Sequence, residues 1–134
     1  MVQHTFQKKY LYKDFDISFN ANPLTGDLGT KTDINAINQS LRSLIQTSYY
    51  ERPFQPWVGS KIRKILFEPA DYISMNDLKS SLEEVIGNYE QRVVITNLAV
   101  EDLSEMNAYK ISITYQINTQ TDPIYVDVVL KRLR

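Results

Sequence analysis

The spacing of apolar and polar positions changes once along the 134-residue chain, near residue 92, from a helical period to a period of two. Before that point, Ile34, Ile37, Leu41, Leu44 and Ile45 recur at helical spacing behind Thr32 or Asp33, either of which can cap a helix running to about Thr47. Ile62, Ile65 and Leu66 fall at i, i+3 and i+4, predicting a short helix capped by Ser60 and stopped by Pro69. Met75, Leu78, Leu82, Val85, Ile86 and Tyr89 form the stripe of a third helix, with Lys79, Ser80, Glu83 and Glu84 on its outer face. Ser74 and Asp77 read as a variant capping box at its start, and Gly87-Asn88 as its end.

Beyond Arg92, Val93, Val94 and Ile95 open a β-rich run to about Val100, and Glu101 to Asn107 reads as a connecting loop. Tyr109, Ile111, Ile113, Tyr115 and Ile117 then alternate strictly with Lys110, Ser112, Thr114, Gln116 and Asn118, which gives a strand with one dry and one wet face. After a turn at Asn118 to Pro123, Ile124, Val126, Val128 and Leu130 supply a further strand before the basic end Lys131-Arg132-Leu133-Arg134. Helices first and hairpin-linked strands last predict an α+β fold, with about three helices packed on one face of a mainly antiparallel three-stranded sheet. Residues 1–31 read as an N-terminal arm in which Phe15, Ile17 and Phe19 alternate like a short strand among turn residues, and residues 32–134 as a single domain.

The connection from Glu51 to Gly59 is stiff. Pro53 and Pro56 fix their own φ angles and hold Arg52 and Gln55 extended. Phe54 and Trp57, one residue past each proline, are expected to plug into neighbouring elements, and Gly59 to permit a turn.

Composition narrows the function classes. Fifteen basic and 16 acidic residues leave a net charge of -1, so no overall electrostatic footprint for nucleic acid is present. No apolar run reaches the roughly 20 residues of a membrane span, and the polar start lacks a signal-peptide core, so a cytosolic chain is expected. Without cysteine there is neither a disulfide nor a thiolate metal site, and the single His4 has no evident partners for a zinc centre or a triad. No cofactor is expected. Glu68, Asp71, Glu90, Glu101 and Asp102 are the carboxylates available for acid–base chemistry, but they sit at helix ends, turns and strand starts, where acidic residues serve caps and solubility. Glu90 and Arg92 read by default as solvated charges. A three-stranded sheet does have open edges, and the last strand is flanked by charges while its backbone groups remain available for strand addition.

The stretches Arg52-Pro53-Phe54, Pro56, Gly59, Leu66-Phe67-Glu68 and Asn88-Tyr89-Glu90-Gln91-Arg92, in that order and spacing, resemble the sheath-initiator wedge protein family of contractile phage tail baseplates, which has a type VI secretion counterpart. The resemblance spans roughly Leu28 to Leu130, with Gln91 standing where the family carries proline in a Glu-Pro-Arg turn. It implies a structural virion protein rather than an enzyme, a monomer when alone and present in multiple copies in the assembled baseplate. The implied partners are other baseplate wedge proteins and the tail sheath protein, with assembly in the host cytoplasm. Glu90, Gln91 and Arg92 would hold the wedge core bundle, with Arg52, Pro53, Phe54, Pro56, Trp57 and Gly59 as a structural loop. Ile124, Tyr125, Val126, Asp127, Val128, Val129 and Leu130 would accept sheath strands. Two alternatives stand beside this: a lysozyme-like peptidoglycan hydrolase, following the label the family has carried, and the equivalent subunit of a secretion or cell-killing machine.

Overall fold

The structure, a computed structural model, describes residues 10–133 in two compact units, one ending at Gln39 and the other beginning at Ser40. His4 lies outside the described residues, as does Arg134 at the basic end.

The first unit is a hairpin. Strand β1 (Lys13–Phe15) pairs antiparallel with β2 (Thr30–Thr32), and beyond it the Ala21–Leu28 bridge and Gly26, at φ 69°, close the turn. The alternation at Phe15, Ile17 and Phe19 does not produce a dry face. The strand stops at Phe15 and all three side chains are exposed, because Phe19 turns into the left-handed region at φ 52°. Helix α1 (Asp33–Gln46) begins where the pattern places it, but Asp33 is occupied otherwise than expected: its Oδ1 accepts from the N–H groups of Leu11 and Tyr12 at 2.9 and 3.2 Å. Gln39 also fastens the hairpin, accepting from Ile17 N–H and donating to the Phe15 carbonyl.

The second unit carries α2 (Ile62–Ile65), α3 (Tyr72–Tyr89) and a sheet of β3 (Val93–Leu103), β4 (Ala108–Ile117) and β5 (Ile124–Lys131). Both pairings are antiparallel and β4 is the middle strand. Three helices with antiparallel sheets are thus the α+β fold expected from the pattern. Tyr109, Ile111, Ile113, Tyr115 and Ile117 are buried with Val126, Val128 and Leu130 of β5, and α3 runs along β3 with Leu78, Leu82, Val85 and Ile86 inward.

Several local expectations are corrected. Ser60 does not cap α2. It forms a parallel bridge with Ser48, and its hydroxyl donates toward the Ile45 and Thr47 carbonyls. Helix α3 starts earlier than the Ser74–Asp77 box: Asp71 is the cap, its Oδ1 accepting from Ser74 N–H at 2.7 Å. Gly87-Asn88 does not end α3 either, because Glu90 N–H still donates to the Ile86 carbonyl at 2.9 Å. Strand β3 continues past Val100 to Leu103, and a 3-10 turn (Ser104–Met106) with Asn107 at φ 49° returns the chain into β4.

Gly59 is needed for approach rather than for a turn. A Cβ there would lie 2.5 Å from the Ser48 carbonyl carbon and 2.6 Å from Tyr49 N, backbone atoms that cannot swing aside. Gly59→Ala is therefore expected to cost about 1–3 kcal/mol, read as a lowered midpoint in urea unfolding at unchanged slope.

Candidate functional site

The two stretches that carried the resemblance meet. Tyr89, near the end of α3, donates its hydroxyl to the Trp57 carbonyl at 2.7 Å, joining the proline loop to the turn between α3 and β3. The loop is rigid for several further reasons. Tyr50 sits at φ 67° with its N–H on the Pro56 carbonyl at 2.9 Å, Glu51 accepts from Ser48 N–H, and Arg63 pairs with Glu51 at 3.3 Å. The expectation that Phe54 and Trp57 plug into neighbouring elements is overturned: they are 93% and 63% exposed, and Tyr50 is exposed beside them in sequence. The hydrogen bonds that brace the loop run through its backbone and through Glu51, so its large aromatic side chains are left facing solvent.

Glu90 also departs from the default reading. It is only 4% exposed, and both carboxylate oxygens are taken. Arg92 Nε donates to Oε1 at 2.7 Å and its second guanidinium nitrogen to Oε2 at 2.8 Å, a two-pronged fork, while Ser40 on α1 donates to Oε2 at 2.6 Å. Burial on its own would raise the carboxyl group, but the hydrogen bonds from Arg92 and Ser40 and the nearby positive charge outweigh it and hold Glu90 below the ordinary value of 4.5. Arg92 keeps a quarter of its side chain in solvent and Gln91 is exposed. Gln91 is held from outside the turn: Asn118 donates through Nδ2 to the Gln91 carbonyl at 2.8 Å, and Asn118 N–H donates to the Arg92 carbonyl at 3.1 Å. Below the turn, burial pushes the Tyr115 hydroxyl up to about 12, with the Glu90 charge adding to the shift.

The β5 edge can be given a phase. Arg132 N–H donates to the Asn107 carbonyl at 2.8 Å, one step beyond the Ala108–Lys131 pair. Hydrogen-bonded pairs alternate in an antiparallel ladder, so Ile124, Val126, Val128 and Leu130 bond to β4. Tyr125, Asp127, Val129 and Lys131 turn their N–H and carbonyl groups outward, and their side chains are exposed. Sequence reasoning located Ile124 to Leu130 but did not separate these two sets. It also missed Ser40, whose hydroxyl looks ordinary on a helix, and Asn118, which read only as a turn residue.

Of the carboxylates considered for acid–base work, Glu68, Asp71 and Asp102 lie close enough to act on the buried Tyr109 hydroxyl, while Glu90 is engaged elsewhere. Asp71 caps α3 and lies below the ordinary aspartate value through its hydrogen bonds to Ser74, Asp102 accepts from the Ser104 hydroxyl at 2.8 Å, and Glu90 is held by Arg92. Among the described residues no helix is long and apolar enough to cross a membrane.

Residues 32–122, more than half of the chain, match the family described as baseplate wedge protein gp25. The chain is 24% identical over 123 residues to the baseplate wedge protein gp25 of Enterobacteria phage T4, across 92% of this chain and 91% of that protein. Among solved structures it is similar to a chain of the anti-feeding prophage baseplate, with a TM-score of 0.72 and 22% identity over 83% of this chain and 89% of that one. It is also similar to a Geobacter sulfurreducens protein whose name proposes a tail lysozyme, with a TM-score of 0.69 and 16% identity over 73% of this chain and 89% of that one. At such identities the structural likenesses speak to the fold.

Two pH-dependent outcomes follow from the buried groups. The folded value of Glu90 is lowered, so its contribution to stability is present above 4.5 and lost as pH falls through the folded value. Glu90→Gln should therefore flatten the acid limb of a stability–pH curve measured by urea unfolding, and lower stability at pH 7 by about 2 kcal/mol through the lost fork. The folded value of Tyr115 is raised from 10.0 to about 12, so stability should decline as pH rises from 10 toward 12, and Tyr115→Phe should remove that decline.

Proposed function

The chain belongs to the baseplate wedge protein gp25 family, and on that premise we propose that it is a structural subunit of a contractile-tail baseplate with two binding faces. The first is the proline loop together with the Glu90–Arg92 turn, which grips the core bundle of the other wedge proteins. The second is the β5 edge, onto which the first sheath subunits lay extended segments by strand addition. The observation that carries the first face is the Tyr89–Trp57 hydrogen bond, which makes one rigid surface of two stretches far apart in sequence and leaves Phe54 and Trp57 exposed on it. Large aromatics held on a stiff backbone lose little entropy on docking, which is how interface anchors act. Glu90 serves that face indirectly: its carboxylate is spent on Arg92 and Ser40, so it positions Arg92 and Gln91 rather than touching a partner.

For the second face, strand addition needs outward-facing backbone groups on a straight edge. The eight residues of β5 pair with β4 in unbroken register, whereas β3 is irregular between Ile95 and Asn97. Localisation to the tail baseplate, with assembly in the host cytoplasm and a monomeric subunit before assembly, belongs to the same proposal.

A hydrolase is disfavoured by the charges themselves. A glycosidase acid must hold a raised pKa opposite a second carboxylate. Asp71 and Glu90 are both shifted downward, and Glu90 is closed off by Arg92. A second setting for the structural role, a cell-killing or secretion particle, is favoured by the likeness to the anti-feeding prophage baseplate chain.

Two outcomes test the faces separately. Replacing both Phe54 and Trp57 with alanine should leave stability within about 1 kcal/mol, since both are exposed, yet abolish co-purification with assembled wedges. Normal incorporation of that variant would defeat the first face. Val129→Pro removes an outward N–H without breaking the β4 ladder, so it should fold and enter baseplates that fail to start sheath in negative-stain micrographs. Val128→Pro, which breaks a ladder bond, should instead unfold the sheet. Sheath starting normally on Val129→Pro baseplates would defeat the second face.

A further inference from the structure

The buried face of the sheet ends in a polar row. Asp102 on β3 stands opposite Tyr109 on β4, Leu130 of β5 flanks Tyr109 on its other side, and the chain continues two residues further to Arg132. There it leaves the sheet. Arg132 N–H still donates to the Asn107 carbonyl at 2.8 Å, but Leu133 N–H donates to the Leu66 carbonyl at 3.2 Å, at the end of α2. Arg132 and Leu133 thus form a strap that ties the end of β5 to the α2–α3 connection, and it supplies a donor to a carbonyl of the kind a helix end leaves open.

Two buried groups under this strap are left unanswered. Tyr109 has none of its surface in solvent, and its hydroxyl has no hydrogen-bond partner among the described residues; the same holds for Nε of the half-buried Arg132. The guanidinium lies 5.8 Å from the centre of the Tyr109 ring and reaches a main-chain oxygen, the Glu68 carbonyl, at 3.3 Å. Burial holds the Tyr109 hydroxyl above the ordinary value of 10.0; the charges of Asp102, Asp71 and Glu68 add to the shift, and that of Arg132 opposes it.

Buried polar groups are nearly always paired, because a group stripped of water and given nothing in return raises the energy of the state that buries it. The closed strap is such a state. Lifting Arg132 and Leu133 breaks two main-chain hydrogen bonds, which water replaces, and returns both the hydroxyl and Nε to solvent. The gain and the loss fall at the same place, which is the condition for a segment that opens without the rest of the fold.

From this arrangement we infer that Arg132 and Leu133 are a latch, which opens locally over Tyr109 while the sheet stays folded. Access to the Tyr109 hydroxyl and its acidic surroundings is then governed by the chain's own cation. The latch rests on neither binding face proposed above.

Native-state hydrogen exchange of the full chain under increasing urea tests this. The amides of Arg132 and Leu133 are expected to exchange at least about 100-fold faster than those of Ile111 and Val128, at rates that sub-denaturing urea leaves unchanged, the mark of a local opening. Tyr109→Phe removes the unanswered hydroxyl and should slow exchange at Arg132 and Leu133 by about tenfold. A segment held by main-chain bonds alone would fray equally in both proteins. Exchange at Arg132 and Leu133 that follows Ile111 and Val128 across the urea series would overturn the inference, as would unchanged exchange in Tyr109→Phe. Faster exchange in that variant would overturn it too, since the hydroxyl would then be stabilising the closed strap through a bond.

Discussion

A carboxylate with 4% of its surface in solvent is tolerable only if its charge and both oxygens are answered, and Glu90 has this requirement met from two directions. Arg92, two residues on, closes a fork across the turn, and Ser40, 50 residues earlier, reaches in from α1. The end of α3, the start of β3 and the middle of α1 are thereby bound to one charged group. Because burial opposes the ionised form while the hydrogen bonds favour it, the net lowering shows that the bonds prevail. Arg92 commits both prongs of its fork to Glu90 and keeps a quarter of its side chain outward, which makes the turn a fixed feature of the surface and not a mobile pair of charges.

Rigidity continues from that turn into the proline loop. Backbone groups are satisfied within it, by the Tyr50–Pro56 and Ser60–Thr47 bonds, and by Tyr89 reaching the Trp57 carbonyl. Gly59 lets two chain segments run closer than any side chain would permit. With the backbone ordered by these contacts, Phe54 and Trp57 are not required as internal packing, and an interface can use their area without having to order the loop first.

The sheet supplies the complementary feature, two borders of different character that pair with no other strand among the described residues. On β4, flanked on both sides, Tyr109, Ile111, Ile113, Tyr115 and Ile117 bury one face completely. On β5 the outward-directed backbone belongs to Tyr125, Asp127, Val129 and Lys131, two of them charged, which discourages indiscriminate pairing while leaving the hydrogen-bonding groups in place. On β3 the irregularity after Ile95 and the wall of α3 restrict access to a groove.

The sequence by itself determined whatever depends on near neighbours along the chain. Strict alternation from Tyr109 to Ile117 and the stripe from Leu78 to Ile86 specified a half-dry strand and an amphipathic helix, because facing direction repeats every two residues in one and every 3.6 in the other. The α+β class was legible on the same basis, and the resemblance drew attention to Glu90, Gln91, Arg92 and the proline loop. What tertiary structure alone decided were the matters of which distant group answers which. Asp71 displaced Ser74 and Asp77 as the cap of α3, Asp33 went to the arm rather than its helix, Glu90 was buried against Ser40, and the loop aromatics were turned outward. Periodicity carries no information about these choices. A polar group's free energy depends on the partner that folding brings to it, and that partner is set by the packing of whole elements.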